Sequence, residues 1–127
     1  MSFPVSIKAV IFIDNKVILL KNERDEWELP GGRLELGEQP IECIKREVEE
    51  ELALDISVKD IIDSWLFEVI PGKHVVIVTY YCEVNSGTIK ISHEHKELGL
   101  FTINELKDIK IPEGYLKSIV NRTKLPV

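Results

Sequence analysis

A helix that carries several carboxylates along the border of its buried face constrains how a small chain can fold, and the run Ile41–Leu52 of this chain spells one. At about 100° per residue with Glu47 as zero, Glu51 falls at about +40° and Glu50 at about −60°, so three acids share one arc. Ile44, Val48, Ile41 and Leu52 fall at about +60°, +100°, +120° and +140°, an apolar stripe directly beside that arc. Glu42 and Glu49, at about 220° and 200°, belong to the solvated side. Like charges spaced i,i+4 oppose each other by roughly 0.2–0.5 kcal/mol, and partial burial adds to that cost. A divalent cation removes the conflict. A tight group of hard oxygen donors suits Mg²⁺ or Mn²⁺, ions that accompany phosphate substrates.

The residues upstream strengthen this reading over that of an ordinary solvated acidic face. Trp27-Glu28-Leu29-Pro30-Gly31-Gly32 ends a strand-like segment in a Pro-Gly-Gly turn. Glu35, Gly37 and Glu38 follow, and Pro40 suits the first turn of the helix. Glycine lets backbone approach a ligand closely, and here it would bring Gly32 up to the carboxylate arc.

The stretch Gly32–Leu54 resembles the signature of the Nudix hydrolases, G-x5-E-x7-R-E-U-x-E-E-x-G-U with U a bulky apolar residue. Gly32, Glu38, Arg46, Glu47, Val48, Glu50, Glu51 and Leu54 match at the required spacing, eight fixed positions over 23 residues. Ala53 is the one departure, standing where the family has Gly. That glycine suits a left-handed helix stop, so Ala53 implies a cost of about 1 kcal/mol unless the helix ends differently. No carboxylate is lost.

The resemblance implies an α/β fold, a mixed sheet sandwiched between helices, in one domain over residues 1–127 with the signature box at 32–54. It implies metal-dependent hydrolysis of a pyrophosphate bond in a nucleoside diphosphate linked to another moiety. Glu47, Glu50 and Glu51 would hold Mg²⁺ or Mn²⁺, with the Gly32 carbonyl as a further ligand. Glu38 and Arg46 would pair to hold the loop against the helix, since Arg offers a fixed bidentate fork. The segment Ser92–Leu98 resembles the later loop from which family members take another carboxylate, as metal ligand or general base. Glu94 suits that role first and Glu97 second, with a polar surface loop as the alternative. His93 and His95 flank Glu94, but Mg²⁺ prefers oxygen, so they read as solvated. Glu50 is the alternative base within the helix.

For the substrate, a small chain of this kind resembles the MutT-like branch, which acts on nucleoside triphosphates or modified nucleotides. ADP-ribose or another nucleotide sugar is the alternative, with Pro71-Gly72 only loosely reminiscent of the proline of that branch. A non-catalytic nucleotide-sensing module is the alternative of another class, and the intact set of carboxylates argues against it. Arg24 and Arg33 flank the site in sequence and are expected at terminal phosphates, or else are ordinary surface charges. Trp65, Phe67, Tyr80, Tyr81 and Phe101 are open between stacking on a base and filling the core.

Charge supports this placement. Net charge is −6, yet Glu23–Glu51 holds eleven acids against four bases, a balance of −7, so the remainder is +1. The acidity belongs to the candidate metal site, and polyphosphate is expected to arrive already neutralised by metal. No basic stripe points to long nucleic acid. No apolar run approaches membrane-spanning length, and Met-Ser-Phe-Pro-Val lacks the features of a secretory signal. Cys43 and Cys82 have neither disulfide nor zinc spacing. Cys43, on the carboxylate arc at about −40°, is expected to pack beneath the site or else to be mildly reactive. A cytoplasmic protein is expected, with a homodimer left open.

Coarsely, Val5–Ile13 and Lys16–Leu20 read as a hairpin about Asp14-Asn15. Arg33–Leu36 reads as a short extended piece. Ile56–Ile61, Ser64–Ile70 and His74–Val84 read as strands, with Pro71-Gly72 and Asn85-Ser86-Gly87 as turns. Thr88–Ser92 and Leu98–Phe101 read as short strands, and Ile103–Ile109 and Gly114–Arg122 as short helices.

Overall fold

The computed structural model describes residues 2–91 and 97–124. Strand β1 (Val5–Ile13) alternates its side chains between two buried layers, which is why it reads as a nearly continuous apolar run. Ile7, Ala9 and Ile11 join one core cluster and Val10 the other. Asp14 and Asn15, both with positive φ, turn the chain into β2 (Lys16–Lys21). Strands β3 (Trp27–Glu28) and β4 (Gly31–Arg33) follow, the latter antiparallel to β1 with Lys8 opposite Gly31 and Ile7 opposite Gly32.

Two expectations shift here. The Gly31-Gly32 pair is strand rather than turn, and the extended piece starts earlier than Arg33. Glycines without side chains let β4 lie close against β1: a Cβ on Gly31 would overlap the Ile7 carbonyl.

Helix α1 (Pro40–Leu52) begins at Pro40, with the Glu42 carboxylate accepting from the Gln39 N–H at 2.8 Å. Ile44, Val48 and Leu52 are fully buried against the sheet. Ile41 is 49% exposed, so the expected stripe is one residue shorter; the first turn overhangs the sheet.

The two strands expected at 56–61 and 64–70 form one strand, β5 (Asp55–Ile70), with irregularities around Ile61 absorbing the break. It pairs antiparallel with β6 (Lys73–Ser86), and β6 runs parallel to β1. Residues 88–91 are not strand, contrary to expectation, and Ser92 lies outside the described residues. β7 (Glu97–Phe101) pairs with β2. A 3₁₀ segment (Ile103–Asp108) stands where a short helix was expected, and α2 (Glu113–Lys124) closes the other face through Tyr115, Ser118 and Ile119. The result is a mixed sheet between helices, the α/β class expected.

Candidate active site

The helix brings its acids to the β1–β4 junction. Glu51 is 5% exposed, and its carboxylate accepts from the Gly31 N–H at 2.7 Å. Glu47 lies flat against Gly32, so close that a Cβ there would overlap its carboxylate. A side chain at 32 would displace the Glu47 carboxylate from this position. Glu50, with a side chain 59% exposed, faces outward.

Arg46 is the counter-ion of this group. Its Nε and Nη2 donate to the two Glu38 oxygens at 2.7 and 3.0 Å, the bidentate geometry expected. Nη1 donates to Glu47 at 2.9 Å and to Glu50 at 3.4 Å, and Nη2 also reaches the Arg33 carbonyl at 3.4 Å. Hydrogen bonding from Arg46 holds the Glu38 carboxyl down at about 2. The same bond with Glu38 raises the guanidinium above its ordinary value.

Cys43 is buried beneath, its Sγ 3.5 Å from the Arg33 carbonyl and 3.7 Å from that of Gly32. Burial, reinforced by Glu38, pushes its thiol up to about 12, so at neutral pH it is a thiol and not a nucleophile. Ala53 adopts the left-handed conformation, φ 58° and ψ 32°, with its N–H on the Glu49 carbonyl at 2.9 Å. The helix thus ends as a glycine would end it.

Across β4 from the carboxylates lies a cavity of about 430 Å³. Lys8, Arg24, Arg33 and Lys73 supply cations to it, and Phe67 and Tyr115 an aromatic flank. Arg24 is engaged with Glu23 at 3.1 Å and Glu26 at 3.2 Å. Gly31 links the two: it pairs in register with Lys8, which lines the cavity, and donates to Glu51.

Lys8, Glu28, Asn22 and Tyr115 escaped the sequence reading. The Lys8 ammonium donates to Glu28 at 3.3 Å and to the Leu29 carbonyl at 3.2 Å, and Asn22 donates to the other Glu28 oxygen at 2.7 Å. Burial works to discharge Lys8, but Tyr115, Glu28 and Glu51 outweigh it and lift its pKa above the ordinary lysine value. At neutral pH the phenol is uncharged, so the two carboxylates keep the ammonium charged. A lysine inside a nine-residue apolar strand was the available signal, since a buried charge requires partners.

Glu94, with His93 and His95, lies outside the described residues. Glu97 opens β7, opposite Lys21 in register, and its carboxylate is 3.8 Å from the Lys21 ammonium. Among the stacking candidates, Phe101 packs on Trp27, Tyr81 lies under the Arg122 guanidinium and Tyr80 packs against the α1-side core. Trp65 and Phe67 face α2.

Among the described residues no three His, Cys, Asp or Glu side chains converge as a ready metal site. Glu47 and Glu50 are turned onto Arg46, and Glu51 onto Gly31. The donor set is nevertheless that of a hard cation: oxygen only, three carboxylates on adjacent turns, and a backbone pressed against one of them.

A sheet between helices, with an acid-edged helix docked on a glycine strand beside a cationic cavity, is the frame of a hydrolase of phosphorylated small molecules. The NUDIX domain family model matches residues 3–120, and the chain belongs to that family: it is a Nudix hydrolase, acting on nucleotide derivatives. It is 29% identical over 123 residues to the ADP-ribose pyrophosphatase of Methanocaldococcus jannaschii, covering 89% of this chain and 73% of that one. With the MutT-like protein of Streptomyces ambofaciens it shares 27% identity over 106 residues, 82% of this chain and 67% of the relative. It spans 28% of the length of a Caenorhabditis elegans relative. A NUDIX hydrolase structure from Nitrosomonas europaea superposes with a TM-score of 0.84 at 22% identity, covering 96% of this chain and 89% of that one, a likeness of fold.

Proposed function

We propose that this chain hydrolyses the pyrophosphate bond of a nucleoside diphosphate linked to another group, in a metal-dependent reaction, with a nucleoside triphosphate or modified nucleotide as substrate. The observation that carries this reading is Gly31, whose N–H donates to the buried Glu51 carboxylate and whose strand partner Lys8 lines the cation-bearing cavity. Phosphates lying across it meet Arg33, Lys73 and Lys8 from the cavity side. Arg33 and Lys73 both line the cavity and bring positive charge to it for a substrate anion.

Glu47, Glu50 and Glu51 would hold Mg²⁺ or Mn²⁺, with the Gly32 carbonyl and Glu94 as further ligands. Such an ion supplies neutralisation of phosphate charge and activation of water. The chain's own contribution is positional. Arg46 and Glu38 clamp the 33–38 loop against α1, and Gly32 seats Glu47. Glu94 would take the proton of the attacking water, which Glu97, engaged beside Lys21 at the start of β7, is poorly placed to do.

Hydrolysis measured with Mg²⁺, with Mn²⁺ and with chelator tests the reading. Glu50→Gln is the cleanest variant because Glu50 is exposed: turnover should fall by several orders of magnitude with the melting temperature unchanged. Full activity of that variant in Mg²⁺ would remove the metal-site assignment. ADP-ribose is the second reading, favoured by the name of the Methanocaldococcus jannaschii relative. Comparing kcat/KM for nucleoside triphosphates and ADP-ribose, with products resolved by chromatography, separates the two.

A further inference from the structure

Lys8 stands in the middle of β1 and Arg24 in the loop that follows β2, and both line the cavity. An unbroken run of hydrogen bonds joins them. The Lys8 ammonium donates to one Glu28 oxygen at 3.3 Å, and the Asn22 amide donates to the other at 2.7 Å. The Asn22 side-chain oxygen then accepts from the backbone N–H of Arg24 at 2.9 Å and from that of Glu26 at 3.1 Å. Asn22 also closes the loop through its main chain, donating to the Glu26 carbonyl at 2.9 Å and accepting from the Asp25 N–H at 3.1 Å. Lys8 and Asn22 are buried, whereas the Arg24 side chain is 32% exposed.

Holding the sheet together does not call for this arrangement. A buried ammonium–carboxylate pair gives up hydration on both sides, and apolar residues of similar volume often stabilise a core as well or better. The run of bonds also leads out of the core, to a loop whose next side chain reaches solvent. Its geometry does serve orientation. A lysine ammonium rides on a flexible four-carbon stem, and the Glu28 and Leu29 acceptors, the latter at 3.2 Å, engage two of its three protons and fix its direction. Asn22 fixes the backbone from which Arg24 projects. The guanidinium itself rests on Glu23 at 3.1 Å and Glu26 at 3.2 Å, partly exposed pairs of a kind that exchange readily for another anion.

We infer that Glu28 and Asn22 are positioning residues that yoke Lys8 to Arg24, so that the two cations engage the substrate's phosphate chain as one unit. This rests on the function proposed above and adds to it an energetic coupling between two cations on separate segments. Glu28 is the shared joint: one of its oxygens aims the ammonium and the other anchors Asn22, and with it the loop. A bonded network of this kind transmits a change at one end to the other. Removing either cation therefore leaves the survivor less well aimed, and the loss of both costs less than the sum of the single losses.

A double-mutant cycle on anion binding tests the yoke, read by titration calorimetry with methylenediphosphonate, a non-hydrolysable pyrophosphate analogue, and Mg²⁺. Lys8→Met and Arg24→Ala should each raise Kd. The double variant should bind about threefold to thirtyfold tighter than the product of the two losses allows. In an Asn22→Ala background the same cycle should close to within about twofold of additivity. Lys8→Gln, which keeps a donor to Glu28, replaces Lys8→Met if the latter does not fold. Asn22→Ala alone, which needs no lysine variant, should raise KM for a nucleoside triphosphate with kcat nearly unchanged. A merely structural Asn22 would lower Tm and leave both the coupling and KM as they are. Additive losses for Lys8 and Arg24, or a coupling that survives Asn22→Ala, overturn the yoke while turnover of nucleotides by the wild type upholds the proposed function. A wild type that turns over no nucleotide overturns that function, and the binding cycle still decides the coupling by itself.

Discussion

Replacing Ala53 with glycine isolates one strained residue at the end of α1. Ala53 holds φ 58° and ψ 32°, and its N–H closes the last turn on the Glu49 carbonyl. The left-handed conformation costs an L-residue roughly 1–2 kcal/mol because Cβ crowds the following carbonyl. Removing Cβ releases that cost, and the greater freedom of glycine in the unfolded chain takes back about 0.4–1 kcal/mol. Ala53 is exposed, so the methyl contributes little packing. The balance is a stabilisation of about 1 kcal/mol. For 127 residues, at about 2.1 cal/mol/K of unfolding entropy per residue, this raises Tm by about 4 °C. Reversible thermal unfolding followed by circular dichroism measures it, and a urea titration with unchanged slope excludes an altered unfolded state. Activity should stay near wild type, since the cap hydrogen bond is a backbone bond and every carboxylate is retained. An equal or lower Tm would mean that α1 in solution does not end through a left-handed residue at 53.

Arg46→Ala should lower Tm and turnover together, because it frees Glu38, and with it the 33–38 loop, from α1 and leaves Glu47 and Glu50 without their cation; a loss of substrate affinity at unchanged Tm would instead make Arg46 a phosphate ligand. Glu38 is held at about 2, below its ordinary value, so its stabilising contribution is complete above about pH 4.5 and is lost as pH falls towards 2. Glu38→Gln should accordingly flatten the fall of Tm across that window, and parallel curves for the two proteins would contradict the pairing. Glu94→Gln should reduce kcat by about 10²–10⁴, the range for a general base, with KM nearly unchanged, while Glu97→Gln does much less. Reversed ranking would move the role to Glu97, and two near-normal variants would return it to Glu50 or Glu47.

The carboxylate helix was legible in the sequence because its chemistry is local: the angular relations of Glu47, Glu50 and Glu51 to Ile44, Val48 and Leu52 follow from helical periodicity alone. The Arg46–Glu38 pair was legible through the family resemblance. The cavity was not. Lys8 meets Glu28 across 20 residues and Tyr115 across more than a hundred, and no periodicity encodes such encounters. Arg24 and Arg33 were named for their position in the chain and do line the cavity, whereas Tyr80 and Tyr81 differ from Phe67 only in the register of the β5–β6 hairpin and the docking of α2. Ile41 was misplaced because a helical wheel treats the first turn as if the sheet extended beneath it. Residues 88–91 alternate like a strand yet form none; the Lys90 N–H is spent on the Leu52 carbonyl at the end of α1 instead. Tertiary demand for a helix-capping donor outweighed strand propensity there.

The organisation of charge around Arg46 follows from two different kinds of contact made by one guanidinium. Its Nε–Nη2 edge is committed to Glu38 by a bidentate pair at 2.7 and 3.0 Å. Its Nη1 is shared between Glu47 and Glu50 at 2.9 and 3.4 Å, a poorer and more exposed arrangement. A divalent ion competing for Glu47 and Glu50 would therefore meet only the weaker side of Arg46, and the clamp on the 33–38 loop would survive that exchange. Lysine could not serve here. A point charge pulled towards a vacated carboxylate has no second edge to leave behind on Glu38. The acid arc can thus remain soluble and folded as a charge cluster, and stay open to a cation, because the residue that neutralises it is anchored elsewhere.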